Sequence, residues 1–146
     1  MTIEHRWSDA WLLQSILLAN KNGSSSLDAV IGYGDAIQHS IFTINELRYG
    51  ISRLEWAGLI TRQGSALLPT PAALTLWSRA TERTTVLDQL EALAESMSAS
   101  SSATHDPNAI DTEHVPAPLS QAVFDDALAR YRATFERRLK SLRAES

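Results

Sequence analysis

The chain contains no cysteine, which excludes disulfides, thiol catalysis and thiolate metal sites and fits a reducing cytosol. No apolar run approaches the roughly 20 residues that a membrane-spanning helix needs. Met1 to Asp9 is polar and mixed in charge, without the pattern of a secretory signal, so a cytoplasmic protein that does not enter membranes is expected. The sequence also lacks G-x-G-x-x-G, G-x-x-x-x-G-K-[ST] and H-E-x-x-H, the phrases that cradle phosphates or ligate zinc. A protein that is not an enzyme and carries no cofactor or metal is the corresponding expectation. Internal repeats are absent as well.

What is present is enough for one ordinary core with an appendage: 146 residues, 44% of them hydrophobic. The formal net charge of −4 conceals segregation along the chain. Residues 1–85 are balanced at seven basic and seven acidic, residues 86–129 hold eight acidic and no basic, and residues 130–146 hold six basic and two acidic. A dedicated nucleic-acid domain is usually basic, because phosphate neutralisation supplies most of its affinity, and the balanced first segment lacks that signature.

The most informative stretch runs from Thr43 to Gly64. Thr43 and Glu46 have the spacing of a capping box, in which hydroxyl and carboxylate satisfy orphan N–H groups at a helix start. Ile44, Leu47, Ile51 and Leu54 recur at helical spacing, and Gly58 stands where a left-handed C-terminal cap is wanted. Leu59–Arg62 and Ser65–Leu68 are short apolar-rich runs about a Gln63-Gly64 tip, predicting a hairpin. Thr70 and Pro71 then offer an N-cap and first helical position. Upstream, Trp7, Ala10, Trp11, Leu13, Ile16, Leu17 and Leu18 predict a first helix with one buried side. Ser24 to Ser26 offer caps for a second helix reaching about Gln38, in which Gly32 and Gly34 imply a bend or a close neighbour. Downstream, a long helix is predicted from Ala72 to about Met97, interrupted near Thr84-Thr-Val86. Residues 98–118, rich in Ser, Ala, Thr, Asp and Pro, read as a flexible linker. Phe124, Leu128, Tyr131, Phe135, Leu139 and Leu142 place an amphipathic helix over 119–146. Its apolar stripe is expected to pack back on the domain or to pair with another chain, as in a homodimer.

Glu46-Leu47, then Leu54-x-x-Ala-Gly-Leu-Ile60, a hairpin, and Leu68-Pro-Thr-Pro71 resemble the winged-helix superfamily, including its MarR-like and PadR-like bacterial regulators, over about residues 7–80. The resemblance implies a mainly α fold: a winged helix-turn-helix domain with a small β-wing and an extended final helix over 5–97, followed by the linker and the C-terminal helix. It further implies a DNA-binding transcription regulator in which helix 44–57 enters the major groove and Arg62 and Gln63 sit at the wing tip.

Turning the apolar stripe inward places Asn45, Tyr49, Ser52, Arg53 and Trp56 outward, with Arg48 at the flank. Asn45 and Arg53 have the chemistry of base-edge contacts, and Arg62 that of a phosphate contact. Tyr49 and Trp56, seven residues apart on one stripe, instead have the chemistry of a protein hot spot. Thus the alternative is a winged-helix interaction module that binds a protein through Tyr49, Trp56 and the C-terminal helix, without nucleic acid. Trp56 has a third reading, as core under the hairpin or the C-terminal helix.

Asp35 and His39, four apart, are expected to make a structural contact rather than a metal site. His105, Asp106, Asp111, Glu113 and His114 lie in the linker and are expected to bind at most adventitiously. Ser24 to Ser26 lack the partnered histidine and elbow of a nucleophile. Arg130, Arg132, Arg137, Arg138, Lys140 and Arg143 are expected to pair with the acidic stretch of Asp88, Glu91 and Glu95, in the same or a neighbouring subunit, in preference to an anionic surface. Their place near a helix C-terminus also complements the helix dipole.

Overall fold

The computed structural model describes residues 7–83, 85–104 and 117–145. They form six helices and one hairpin: α1 (Trp7–Lys21), α2 (Leu27–Gln38), α3 (Ile44–Trp56), β1 (Ile60–Gln63), β2 (Ala66–Pro69), α4 (Pro71–Ala80), α5 (Val86–Thr104) and α6 (Gln121–Glu145). The architecture is mainly helical with a small two-stranded antiparallel sheet. No helix among the described residues is long and apolar enough to cross a membrane.

Helix α1 is the centre. Ten consecutive or near-consecutive residues from Asp9 to Ala19 are buried, far more than a one-sided stripe, because α2, α3, α5 and β2 all pack on it. A helix covered on several sides needs little amphipathic contrast, and the polar Gln14 and Ser15 must then find partners inside. Ser15 Oγ donates to the Trp11 carbonyl at 2.7 Å, and Gln14 Nε2 donates to the Val86 carbonyl at 3.2 Å, tying α1 to the start of α5.

Local chemistry sets the boundaries. Thr43 and Glu46 form both halves of the capping box, Thr43 N–H to Glu46 Oε1 at 2.9 Å and Glu46 N–H to Thr43 Oγ1 at 3.1 Å. At the other end of α3, Gly58 adopts φ 74°, Gly58 N–H reaches the Glu55 carbonyl and Leu59 N–H the Leu54 carbonyl. This is a Schellman ending, whose left-handed residue is favourable for glycine. It turns the chain straight into β1. The hairpin register pairs Ile60 with Pro69 and Gln63 with Ala66, so the tip is Gly64-Ser65, one residue later than the expected Gln63-Gly64. Thr70 closes the hairpin base and starts the next helix: its Oγ1 donates to the Gly58 carbonyl at 2.6 Å and accepts from Ala73 N–H at 3.3 Å. Ser26 occupies the N-cap of α2 without a side-chain cap, its hydroxyl meeting that of Ser24 instead.

The two glycines of α2 are sites of close approach. A Cβ on Gly34 would lie 2.3 Å from the Phe42 ring, which stacks on Trp11 with centroids 3.8 Å apart, while Trp11 Nε1 donates to the Gly34 carbonyl. A Cβ on Gly32 would lie 3.0 Å from the Tyr131 ring of α6. Thus the C-terminal helix packs back on α2, burying Phe124 and Ala127, and the Tyr131 hydroxyl donates to Asp35 Oδ2 at 2.5 Å.

Three expectations need correction. The break at 81–85 lies where the sequence indicates, but the second helix continues to Thr104, so residues 98–104 are helical rather than linker. The remaining linker positions through 116 lie outside the described residues, as do His105, Asp106, Asp111, Glu113 and His114. Residues 117–120 form no regular element, turn tightly through a Leu119 N–H to Ala117 carbonyl bond, and are tied to α3. Finally, among the described residues no ion pair joins Asp88, Glu91 or Glu95 to α6, because α5 packs on α1 and α4 while α6 packs on α2.

Burial, then the hydrogen bond and charge of Asp35, push the Tyr131 pKa up to about 12, with Arg138 opposing. The folded value lies above the unfolded one, so this contribution to stability is complete below the ordinary tyrosine pKa of about 10 and disappears as pH rises towards about 12. Between these pH values, stability in urea is expected to fall more steeply for the wild type than for Tyr131→Phe. Identical pH slopes would show that this hydroxyl does not hold α6 on α2.

Candidate recognition face

The helix singled out by the sequence, α3, presents two very different sides. Leu47, Ile51 and Leu54 are buried and Ile44 is half-buried, as their spacing requires. Asn45 and Tyr49 are exposed, and Ser52 and Trp56 are half-buried on the same side. Trp56 is therefore neither core nor a fully presented anchor.

Arg53 departs from the expectation. Its side chain is 8% exposed and faces α1, where Nε donates to Asp9 Oδ2 at 2.7 Å and Nη2 to Asp9 Oδ1 at 2.9 Å. Asp9 is fully buried. The two planar groups meet as a bidentate fork, the geometry in which arginine and carboxylate interact most strongly. A guanidinium so engaged inside the fold is not available to a guanine edge, and the outward placement of Arg53 is overturned. The physical reason lies one turn earlier. At Gly50 a Cβ would come within 2.8 Å of Leu12 Cδ2 and 3.4 Å of Asp9 Oδ1, so α1 crosses α3 nearly backbone to side chain at that point. The buried arc of α3 thereby widens to include position 53.

The other two arginines are also engaged. Arg62, on β1, reaches back to Glu55 of α3 with Nε 2.7 Å from Oε1, both side chains about one-third exposed. Arg48 is half-buried, and its Nε donates to the Leu119 carbonyl at 2.8 Å while its own carbonyl accepts from Ala117 N–H at 2.9 Å. Residues 117–119, turned about Pro118, thus form a short strap bonded at both ends to Arg48. Gln63, at the end of β1, is exposed.

The strap and hairpin leave a cavity of about 220 Å³ between them, walled by Leu27, Ile51, Leu67, Leu119 and Val123 with Arg62 at its edge. The outer side of β2 is closed by α1 and the α1–α2 loop. Asn20 Nδ2 donates to the Leu67 carbonyl, and Leu67 N–H donates to the Ser25 carbonyl, each at 2.9 Å. The hairpin is thus fastened to the body through Leu67, within β2, and its Gly64-Ser65 tip is exposed.

The remaining candidates resolve into structure. Asp35 accepts from Tyr131, and its backbone carbonyl accepts from His39 N–H at 2.7 Å, where His39 ends α2 at φ 54°. Among the described residues no group of three or more His, Asp or Glu is placed to share a metal ion. The residues that the sequence reading passes over are Asp9, Gly50, Ala117 and Leu119. Gly50 alone carries a local signal, because a glycine inside an otherwise well-capped helix costs about 1 kcal/mol relative to alanine and implies a close neighbour.

Arg53→Ala should destabilise the protein by about 3–5 kcal/mol, because it removes the forked counter-charge of a buried carboxylate. The double replacement Asp9→Leu/Arg53→Met should recover most of that loss. Urea denaturation measures both, and a cost below about 1 kcal/mol for Arg53→Ala would place its side chain in solvent. No protein-family model matches this chain, and no curated protein or solved structure matches it either.

Proposed function

We propose that this chain is a winged-helix-type interaction module that recognises a protein through the exposed side of α3. The winged-helix reading is supported by the element order, by α3 running through its Schellman ending into an antiparallel hairpin, and by the Leu67–Ser25 backbone bond that ties this hairpin to the α1–α2 loop. The observation that carries the choice of partner is the state of the arginines. Of the three cations that a DNA complex would draw on, Arg53 is buried on Asp9, Arg62 is paired with Glu55, and Arg48 is bound to the strap. Phosphate binding would have to break the Arg62 pair, and base reading by Arg53 would have to unfold the α1–α3 contact. What remains outward on α3 is Asn45 and Tyr49, beside half-buried Trp56. Tyrosine and tryptophan supply large contact area at low entropic cost, and such residues dominate protein interfaces.

The DNA-binding regulator is the second reading, favoured by exposed Asn45 near the start of a groove-sized helix, where asparagine pairs with adenine. One experiment separates the two. The purified protein is titrated with mixed genomic DNA fragments at two salt concentrations, and a photo-crosslinker at position 49 is used on cell extract with Asn45→Ala as the competitor-sensitive control. Salt-insensitive, negligible DNA binding together with a crosslinked protein that is lost in Asn45→Ala supports the interaction module. Salt-sensitive DNA binding that is abolished in Arg48→Ala/Arg62→Ala would overturn it in favour of the regulator.

A further inference from the structure

Helix α6 is about twice as long as the helix it packs on. Its 25 residues span about 37 Å and the 12 residues of α2 about 18 Å, so only part of its stripe can be covered there. Phe124 and Ala127 are buried and Tyr131 is half-buried, but Phe135, the next residue on the stripe, is 49% exposed. Arg132 and Arg138, three residues to either side of Phe135, flank it on the same face and are exposed. Phe135 is thus an exposed apolar residue bordered by cations.

The opposite pattern occurs on α5. Leu90, Leu93 and Met97 face the core, and the outward side presents Leu87, 55% exposed, with Asp88, Glu91 and Glu95 around it. This is an apolar residue bordered by anions. The two faces do not meet within one chain, since no ion pair among the described residues links them. Residues 86–129 carry no basic residue and residues 130–146 a surplus of four, so the complement to each face is the other.

We propose that a second copy of this chain lays the acidic, Leu87-bearing face of its α5 on the basic, Phe135-bearing half of α6, and receives the same contact in return. The exchange is isologous: a two-fold axis forms it twice, doubling the buried area and neutralising both charged faces. Pairing α6 with α6 would instead set Arg132 and Arg138 against their own copies, a like-charge arrangement that specificity disfavours. The surface is separate from the exposed side of α3, so its fate does not depend on what α3 recognises.

The test uses the full chain and light scattering over a concentration series. The wild type is expected to dimerise, and Arg132→Glu/Arg138→Glu and Asp88→Lys/Glu91→Lys/Glu95→Lys should each raise the dimer dissociation constant by at least about a hundredfold. An equimolar mixture of the two variants should restore a heterodimer, because both contacts then join opposite charges again. Phe135→Ser, which leaves every charge in place, should weaken the dimer as well, and helical circular dichroism checks that each variant is folded. A wild type that is monomeric throughout, variants that remain dimeric, or variants that fail to pair on mixing would each overturn the proposal.

Discussion

The buried pair of Asp9 and Arg53 is the constraint around which the molecule is arranged. Both groups are out of solvent, and their forked contact brings α1 and α3 to one crossing and one register. Moving either helix by one residue would break this fork inside the core, an error costing several kcal/mol. Gly50 suits that crossing, since a Cβ there would lie 2.8 Å from Leu12 Cδ2 and force that side chain to shift. The fixed orientation of α3 then determines which of its residues remain at the surface. It is because Arg53 turns inward that the outer side of α3 is aromatic and amide in character rather than cationic.

A second set of contacts holds the C-terminal part on this frame. The Tyr131 ring covers Gly32, its hydroxyl reaches Asp35, and Ala117 and Leu119 bond to Arg48. These bonds join residues 96 and 71 positions apart, so α2 and α3 are each clasped by residues from the far end of the chain. The strap lies against the flank of α3 that bears Arg48, leaving Asn45 and Tyr49 exposed. The chain's own tail therefore limits the exposed side of α3 to a narrower band than the helix alone would offer.

The parts of the fold legible in the sequence are those fixed by neighbours in the chain. The capping box at Thr43 and Glu46, the glycine ending of α3, and the Thr70-Pro71 start of α4 each involve residues within five positions, and each occurs where the residue types indicate. The close packing implied by Gly32 and Gly34 also occurs, although only the structure supplies Phe42 and Tyr131 as the neighbours. The helical course of residues 98–104 was not legible, because serine and alanine suit a linker as readily as a solvent-facing helix and no apolar stripe distinguishes them. The Asp9–Arg53 pair, 44 residues apart, leaves no periodic trace at all. The strap likewise follows from three-dimensional proximity that no spacing encodes.

Arg53 shows why a polar side chain at the border of a helical stripe is ambiguous on periodicity alone. At about 100° per residue, position 53 lies about 100° from Leu54 but only about 40° from exposed Tyr49, and a count that scores arginine as polar turns it outward. The deciding residue is the glycine three positions earlier. A glycine on the same edge of a capped helix marks where another element comes closest, and a charge beside that point faces protein rather than water. It must then have a counter-charge on the approaching element, and the first turn of α1 has one acidic residue, Asp9. The edge of α3 that carries Gly50 and Arg53 is structural for that reason, and the edge that carries Asn45 and Tyr49 is the one left exposed.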